Sequence, residues 1–355
     1  MDKLYSFGDP IDSCYVRENS SFSFQCKDTP TYTISAPRSY LGRFELLLAE
    51  SGASLDTRTS EVSIDAPPKC TPINKSSILN LLEGSDAGMA INKTIAQLLE
   101  QSNKTLRDLH RALPQEWESC QRKTKLFFEL TNDLSVLSKE LGIGHLISLA
   151  RGYTQTDTYL VGKLVEAVRL VSSISATRAI ETGTIRFESE QVFCHSGHDA
   201  DSMYFLLEGK ILVSSSRHTI ASIDTPGECF GELAFFLNGA RTADLVATAR
   251  SAILRVTKES LPAFLADHPD MLLHIGKTLA KRLEQNTQKI ALYSKLSSPE
   301  TPGAVGECHD KAQNSLKNLL NDLRKVIRIS FNDRLMNFIR EATVKIKTTT
   351  EPPAL

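Results

Sequence analysis

The sequence predicts an α+β protein with two small antiparallel β-rolls, flanking helices, a helical connector and a helical tail. Three observations predict this fold class. The first part of the chain recurs near residue 197, short strand-like runs end at glycine or proline turns, and apolar residues then recur at helical spacing. Several short strands followed by helices are typical of a small roll that is closed by helices at one end.

The repeat keeps one constant offset of 189 residues over a long ungapped stretch that starts at Gly8 and Gly197. Identical pairs at this offset are Asp12 and Asp201, Ser13 and Ser202, Tyr15 and Tyr204, Pro37 and Pro226, Gly42 and Gly231, and Leu48 and Leu237. After an insertion in the first copy, Arg58 and Thr59 align with Arg241 and Thr242. We interpret this order of matches as a duplication.

The second copy shows the predicted elements clearly. The runs MYFLLEGKILV, HTIASI and ADLVATARSAILRV are predicted strands, with turn signals at Gly209 and Gly227, and the helical period begins at Lys258. The predicted domains are a first roll at 1–105, a helical connector at 106–180, a second roll at 181–293, and a linker with an amphipathic C-terminal helix at 294–355.

The connector and the tail carry the remaining helical patterns. TYLVGKLVEAVRLVSSI, residues 158–174, is expected to form a helix that packs against the second roll. SSPETPGAVGE, residues 297–307, is a predicted linker, and one long amphipathic helix is predicted from about Lys311 to Lys347. The basic polar side of that helix indicates a solvated face, and the helix is a candidate surface for a protein partner or a homodimer.

Composition favours an ordinary globular protein of the cytoplasm. Of 355 residues, 41% are hydrophobic and 23% are charged, and the formal net charge is −1, so the whole chain has no general attraction to DNA or anionic lipid. No apolar run is long enough for a membrane span, and the start lacks the apolar core of a signal peptide. Seven scattered cysteines predict neither a disulfide framework nor a structural zinc site.

The stretch GECFGELAFFLNGARTADLVA, residues 227–247, has the residues of an anion site. Gly231 lets the backbone approach a ligand, and the following amides of Leu233 and Ala234 lie at a predicted helix start, where anions are favoured. Arg241 can hold a phosphate, whereas Glu232 is suited to accept hydrogen bonds from sugar hydroxyls. A phosphate and a sugar together indicate a compact nucleotide with a single phosphate.

This stretch resembles the phosphate-binding cassette of cyclic nucleotide-binding domains, in which Phe-Gly-Glu-Leu-Ala precedes a short helix and Arg-(Ser/Thr/Ala)-Ala. The matching residues here are Phe230, Gly231, Glu232, Leu233, Ala234, Arg241, Thr242 and Ala243. The resemblance covers residues 183–290 with a specific motif and 1–105 more faintly. It implies that Glu232 holds the ribose 2′-hydroxyl, that Arg241 holds the cyclic phosphate, and that the following long helix covers the base. Thr242 resembles members that favour cGMP, but cAMP binders also carry Ser or Thr there, so both ligands stay open.

The first copy departs from the family pattern at its central position. Arg43 stands where the second copy has Glu232, which replaces a hydroxyl acceptor by a cation. Ser20 and Arg38 replace the turn glycines 209 and 227, the loop before Arg58 is six residues longer, and the first roll starts too late for the earliest strand. We therefore expect a degenerate, N-terminally truncated domain that has lost ordinary cyclic nucleotide binding or binds an altered ligand.

Metal binding, hydrolysis and nucleic acid binding are the other functions that the sequence could indicate. HSGHD, residues 195–199, resembles a metal site but is expected to be a surface turn, and no metal, cofactor or catalytic residue is predicted. The elbow-like GECFG around Cys229 lacks the parallel sheet that a hydrolase requires. No helix-turn-helix pattern follows the second roll, so no nucleic acid partner is expected. The sequence favours a non-enzymatic cAMP or cGMP receptor, and the alternative is an adaptor protein with relic domains that do not bind a ligand.

Overall fold

The computed structural model describes residues 2–50, 52–65, 70–74, 85–166, 183–215 and 218–350, and the fold class is α+β, as the sequence predicts. The chain divides into two units. The first unit comprises Met1–Thr105 and Val168–Thr287, and the second comprises Leu106–Ala167 and Gln288–Leu355. The strands described below belong to the first unit.

The first roll is an antiparallel sheet with one short helix. Its strands are β1 Asp2–Tyr5, β2 Ser13–Cys26, β3 Tyr32–Leu41, β4 Ser60–Ile64 and β5 Thr71–Asn74, and helix α1 spans Phe44–Glu50. The strand order is β1-β4-β2-β3, and β5 also pairs with β2. Apolar residues alternate along β4, whose burial alternates in the same way, so one face of this strand lies in the core.

Ser20 and Arg38, at the positions that align with Gly209 and Gly227, lie within a continuous strand pair of the first roll. Ser20 pairs with Ala36 and Arg38 pairs with Glu18, so β2 and β3 continue as one long hairpin through these positions. In the second copy, Gly209 ends the corresponding strand at φ +93°, and a Cβ atom there would lie 2.3 Å from Oγ of Ser251. Only glycine fits this turn, and its replacement by serine removes the signal that divides the strand.

The second roll contains two four-stranded antiparallel sheets. Its strands are β6 Thr184–Phe187, β7 Val192–Cys194, β8 Ser202–Glu208, β9 Ile211–Ser215, β10 His218–Ile223, β11 Cys229–Phe230, β12 Asp244–Ala247 and β13 Ser251–Thr257. The strand orders are β10-β9-β12-β7 and β11-β8-β13-β6. Buried side chains from both sheets, including Phe187, Leu206, Ile211 and Ile253, form one core between them.

Helices complete both units. Helix α2 spans Ser85–Ala112; the second roll carries α6 Glu232–Leu237 and is followed by α7 Leu261–Asp267 and α8 Met271–Leu296. The helical unit adds α3 Glu116–Leu141, α4 Gly144–Tyr153, α5 Asp157–Val165, α9 Ala304–Ser330 and α10 Asp333–Thr350. Apolar residues of α3, α4, α9 and α10 form its larger core. In the described part of the chain, no helix combines the length and the apolar character needed to cross a bilayer.

The structure corrects two expectations for the helices. The tail forms two helices, because Phe331 adopts φ +45° after α9, and Oδ1 of Asn332 accepts a hydrogen bond from the amide of Leu335 at the start of α10. Thr158 and Gly162 of α5 are buried, and a Cβ atom at Gly162 would meet the carbonyl of Thr124 in α3, so this segment packs within the helical unit. Residues 167–180 of the predicted connector lie outside the described residues.

Candidate functional site

Gly231 connects a short strand to a short helix at the predicted site. β11 pairs with β8 through Phe230 and Tyr204, and α6 begins directly after Gly231. Gly231 has φ +75°, and a Cβ atom on it would lie 2.7 Å from Nη1 of Arg241 and 3.3 Å from the ring of Tyr204. Glycine is therefore required both for the backbone conformation and for the close approach of the arginine.

The guanidinium of Arg241 lies beneath this turn, and the residue is 5% exposed. Its Nη1 donates to the carbonyl of Gly231 at 3.0 Å, and its Nη2 donates to the carbonyl of Ser202 at 2.6 Å and to the hydroxyl of Tyr204 at 3.2 Å. The cation also stands 5.0 Å from the centre of the Tyr204 ring. No carboxylate of the described residues pairs with Arg241, so its charge is available to an anion.

Glu232 begins helix α6, and the residue is 4% exposed. Its Oε1 forms an ion pair with Nη1 of Arg282 on α8, whose side chain is 27% exposed. A buried carboxylate is stabilised when a cation donates to it. The acceptor that the sequence assigns to a sugar hydroxyl is thus held by a cation from a following helix.

The other predicted site residues are placed around these three. Phe230, Ala234 and Ala243 are buried, Leu233 is half-buried and Thr242 is exposed. The ring centre of Phe230 lies 5.4 Å from that of Tyr204, so Phe230 supports the ring that Arg241 contacts. Within the described chain, the amides of Thr242 and Ala243 have no protein acceptor, which leaves two donors beside Arg241.

Three residues of this arrangement were missed by the sequence analysis. Ser202 and Tyr204 accept hydrogen bonds from Arg241, and both recur in the first copy as Ser13 and Tyr15. Because both residues are identical in the two halves of the repeat, the sequence could have identified them as candidates for the site. Arg282 belongs to no motif, and its role follows only from the position of α8.

Arg58 of the first roll is placed in a similar way to Arg241. Arg58 donates through Nη1 to the carbonyl of Gly42 at 2.5 Å and through Nη2 to the carbonyl of Ser13. Its guanidinium lies 4.4 Å from the centre of the Tyr5 ring. Arg43, at the position of Glu232, is 3% exposed and donates to the carbonyl of Tyr40. Burial lowers the pKa of Arg43 to about 9.

The structure also describes two other sequence features, the histidine pair of residues 195–199 and Cys229. The ring centres of His195 and His198 are 5.3 Å apart, and no group of three or more metal-binding side chains is assembled anywhere in the described residues. Cys229 is 1% exposed, and burial raises its pKa well above the ordinary thiol value. A buried thiol of raised pKa has little of the thiolate that a nucleophile requires.

Comparison with known proteins identifies a family model that matches part of the second roll. Residues 184–268 match the family model of the cyclic nucleotide-binding domain. This segment contains all the predicted site residues, at 230–234 and 241–243.

Two curated relatives are the cAMP-activated global transcriptional regulator CRP of Pasteurella multocida and the CRP-like cAMP-activated global transcriptional regulator of Mycobacterium tuberculosis. They are 24% identical over 111 residues and 25% identical over 115 residues. The alignments cover 30% and 31% of this chain and 53% and 50% of the relatives, so the chain spans about half the length of either one.

A solved structure described as Sp-2Cl-cAMPS bound to PKAR CBD2 is similar at 19% identity with a TM-score of 0.23. The similarity covers 34% of this chain and 71% of that one. A TM-score of this size carries no argument about function. The comparisons support a cyclic nucleotide-binding domain at residues 184–268, through the match to the family model.

Proposed function

We propose that the protein is a non-enzymatic receptor for a cyclic nucleotide, cAMP or cGMP, that binds in the second roll. Arg241 and the amides of Thr242 and Ala243 hold the cyclic phosphate, because a guanidinium beside two free amides is a strong oxyanion site. Glu232 accepts a hydrogen bond from the ribose 2′-hydroxyl. The match of residues 184–268 to the domain family supports this assignment.

The observation that carries the proposal is the ion pair between Glu232 and Arg282. A ribose hydroxyl that bonds to Glu232 competes with Arg282 for the same carboxylate. Arg282 belongs to α8, which runs from Met271 to Leu296 and so continues past Thr287, where the first unit ends. Ligand binding therefore shifts the population of α8 positions, and the change passes along this helix.

The output is a change of protein–protein contact by the helices. The signal passes to a protein partner or to a second copy of the chain through its helices. The first roll is a degenerate copy from a duplication and serves as a docking surface. We place this receptor in the cytoplasm, where cyclic nucleotides are signals.

The alternative is an adaptor protein whose second roll no longer binds ligand. One observation favours it, since both charged site residues already have protein partners: Arg241 the carbonyls of Gly231 and Ser202, and Glu232 the side chain of Arg282. The two proposals differ in whether nucleotide stabilises the fold.

The test is isothermal titration of the full chain with cAMP and, separately, with cGMP. We expect saturation at one site per chain and a weakening of about 2–4 kcal/mol for Arg241→Ala, the scale of losing a charge-assisted bond in a pocket. Arg250→Ala is the matched control, because Arg250 is an exposed cation of the same roll. No binding of either nucleotide, together with an unchanged melting temperature, would favour the adaptor.

A further inference from the structure

A buried carboxylate in the first roll accepts hydrogen bonds from one loop. Oε1 of Glu45 accepts from the amide of Thr59 at 3.2 Å, from the amide of Ser60 at 2.9 Å and from Oγ of Ser60 at 2.5 Å. Nη1 of Arg58 lies 3.3 Å from Oε2 of the same carboxylate. A guanidinium and two successive amides are the donors that proteins use to hold an oxyanion.

This ion pair is closed to solvent. The side chains of Arg58 and Glu45 are 1% and 0% exposed. A buried pair is maintained when further hydrogen bonds satisfy both partners, and Arg58 also donates to the carbonyls of Gly42 and Ser13. The side chain of Glu45 is therefore fixed to this loop by hydrogen bonds that are shielded from solvent.

The second roll has the same loop without the carboxylate. At the repeat offsets, Arg58, Thr59, Ser60 and Glu45 correspond to Arg241, Thr242, Ala243 and Ala234. Arg241 makes the same two carbonyl contacts, to Gly231 and Ser202. Because Ala234 has no polar side chain, the donors of the second roll have no internal anion at this position.

We propose that Glu45 is an internal ligand of the first roll, whose carboxylate takes the place that a ligand phosphate takes in the second roll. The second half of this statement rests on the proposed function. A phosphate that approaches the first roll meets a fixed negative charge and donors that are already in use. The first roll therefore binds no phosphate, because Glu45 already occupies its oxyanion site. The donors of that site remain intact.

Arg43 adds a second barrier to nucleotide binding. It replaces the carboxylate at the position of Glu232, and within the described chain its Nε and Nη1 have no hydrogen-bond partner. The cavity that Arg43 lines with Tyr5, Phe22 and Tyr40 has a volume of about 30 Å³, which is room for about one water molecule. Arg43 offers a sugar hydroxyl no carboxylate to bond to, and the cavity is too small for a sugar.

The first test is chemical rescue of the full chain by inorganic phosphate. The double variant combines Glu45→Ala with Arg241→Ala, because the second substitution removes the cation of the anion site in the second roll. The chain with Arg241→Ala alone is the parent control. We expect the double variant to melt at a lower temperature than its parent, and phosphate to raise this temperature saturably at constant ionic strength. The parent, whose Glu45 still fills the site, should show no saturable rise.

A double variant that phosphate neither folds nor stabilises would overturn the inference, as would an equal rise in the parent. This test does not depend on nucleotide binding. If the wild-type chain binds no cyclic nucleotide, the proposed function fails while a saturable phosphate rescue still supports the role of Glu45.

The second test moves the internal ligand into the second roll. Ala234→Glu places a carboxylate at the position equivalent to Glu45, and Ala234→Gln is a control of nearly equal size without charge. In a chain that binds nucleotide, we expect Ala234→Glu to weaken binding at least tenfold more than Ala234→Gln. Equal losses in the two variants would show that bulk alone acts there, which contradicts the role of the charge.

Discussion

Nη1 of Arg282 on α8 forms an ion pair with Oε1 of Glu232 on α6, although the two residues are 50 positions apart in sequence. Glu232 is almost fully buried, whereas Arg282 is a quarter exposed, so the arginine is the partner that can leave. A carboxylate that loses this cation needs another donor, because an unpaired buried charge is costly. The ribose hydroxyl of a nucleotide is such a donor.

Replacement of Arg282 is predicted to strengthen nucleotide binding. Arg282→Ala removes the competitor for Glu232, and because the carboxylate left behind is buried we expect the affinity to rise at least about fivefold, which corresponds to about 1 kcal/mol. Titration calorimetry of the variant measures this change. Lys281→Ala is the control, since Lys281 is an exposed cation next to Arg282 on the same helix and should leave affinity unchanged. A weaker affinity in Arg282→Ala would show that Arg282 contacts the ligand instead.

A methyl group at Gly231 is predicted to destroy the site. Gly231→Ala forces a left-handed conformation on alanine, which costs about 1–2 kcal/mol, and pushes the guanidinium of Arg241 out of its place. We expect a lower melting temperature and no measurable nucleotide binding. Gly239→Ala is the control in the same loop, since the nearest atom to its Cβ would be 3.8 Å away, which is ordinary contact. Binding retained by Gly231→Ala would refute the close approach of Arg241.

The hydroxyl of Thr242 is predicted to act on the choice between nucleotides. Thr242 is exposed beside Arg241, and we propose that its hydroxyl bonds to a guanine edge. Thr242→Ala should weaken cGMP by about 0.5–1.5 kcal/mol, the value of one hydrogen bond, and leave cAMP nearly unchanged. Thr242→Ser keeps the hydroxyl and should behave as the wild type. Equal losses for both nucleotides in competition titrations would exclude this role.

The closeness of Gly231 and Arg241 could be predicted from the sequence because the motif is local. A strand, a glycine turn and a short helix return the chain to Arg241 within ten residues, so spacing alone places the groups together. Arg282 could not be predicted in this way. Its contact depends on the packing of α8, and one arginine on an amphipathic helix has no pattern that separates it from solvated neighbours.

The role of Glu45 could not be predicted from the sequence for a different reason. The repeat aligns it with Ala234, so a search for the family's residues in the first copy passes over it. Its meaning appears only when the distances to Thr59, Ser60 and Arg58 are known. A charge that is buried in the first roll, where the second roll has alanine, is thus a signal that residue matching does not use.

The break in the tail shows how apolar periodicity can conceal a turn. Phe331 continues the helical pattern by type, yet it is 80% exposed at φ +45°. Asn332 is the residue that could have shown the break, because a side-chain acceptor three residues before Leu335 is a capping signal. The repeated leucines predict one continuous helix more strongly than this one polar residue predicts its end.

Cys308 is predicted to react with alkylating reagents at lower pH than Cys70. Sγ of Cys120 donates to Sγ of Cys308 at 3.1 Å, and this hydrogen bond lowers the pKa of Cys308, while burial raises the pKa of Cys70. The thiolate is the reactive form, so a lowered pKa preserves reactivity as the pH falls. Mass spectrometry after timed alkylation by iodoacetamide measures both residues in the same sample.

Two variants separate the hydrogen bond of Cys308 from its general surroundings. Cys120→Ala removes the donor, so the pH profile of Cys308 should move to higher pH, toward that of Cys70. Cys120→Ser keeps a hydroxyl donor at the same position and should keep most of the lowered pKa. If both variants leave the profile of Cys308 where it is in the wild type, the nearby Lys311 would account for the lowered pKa, and the contact with Cys120 would have no part in it.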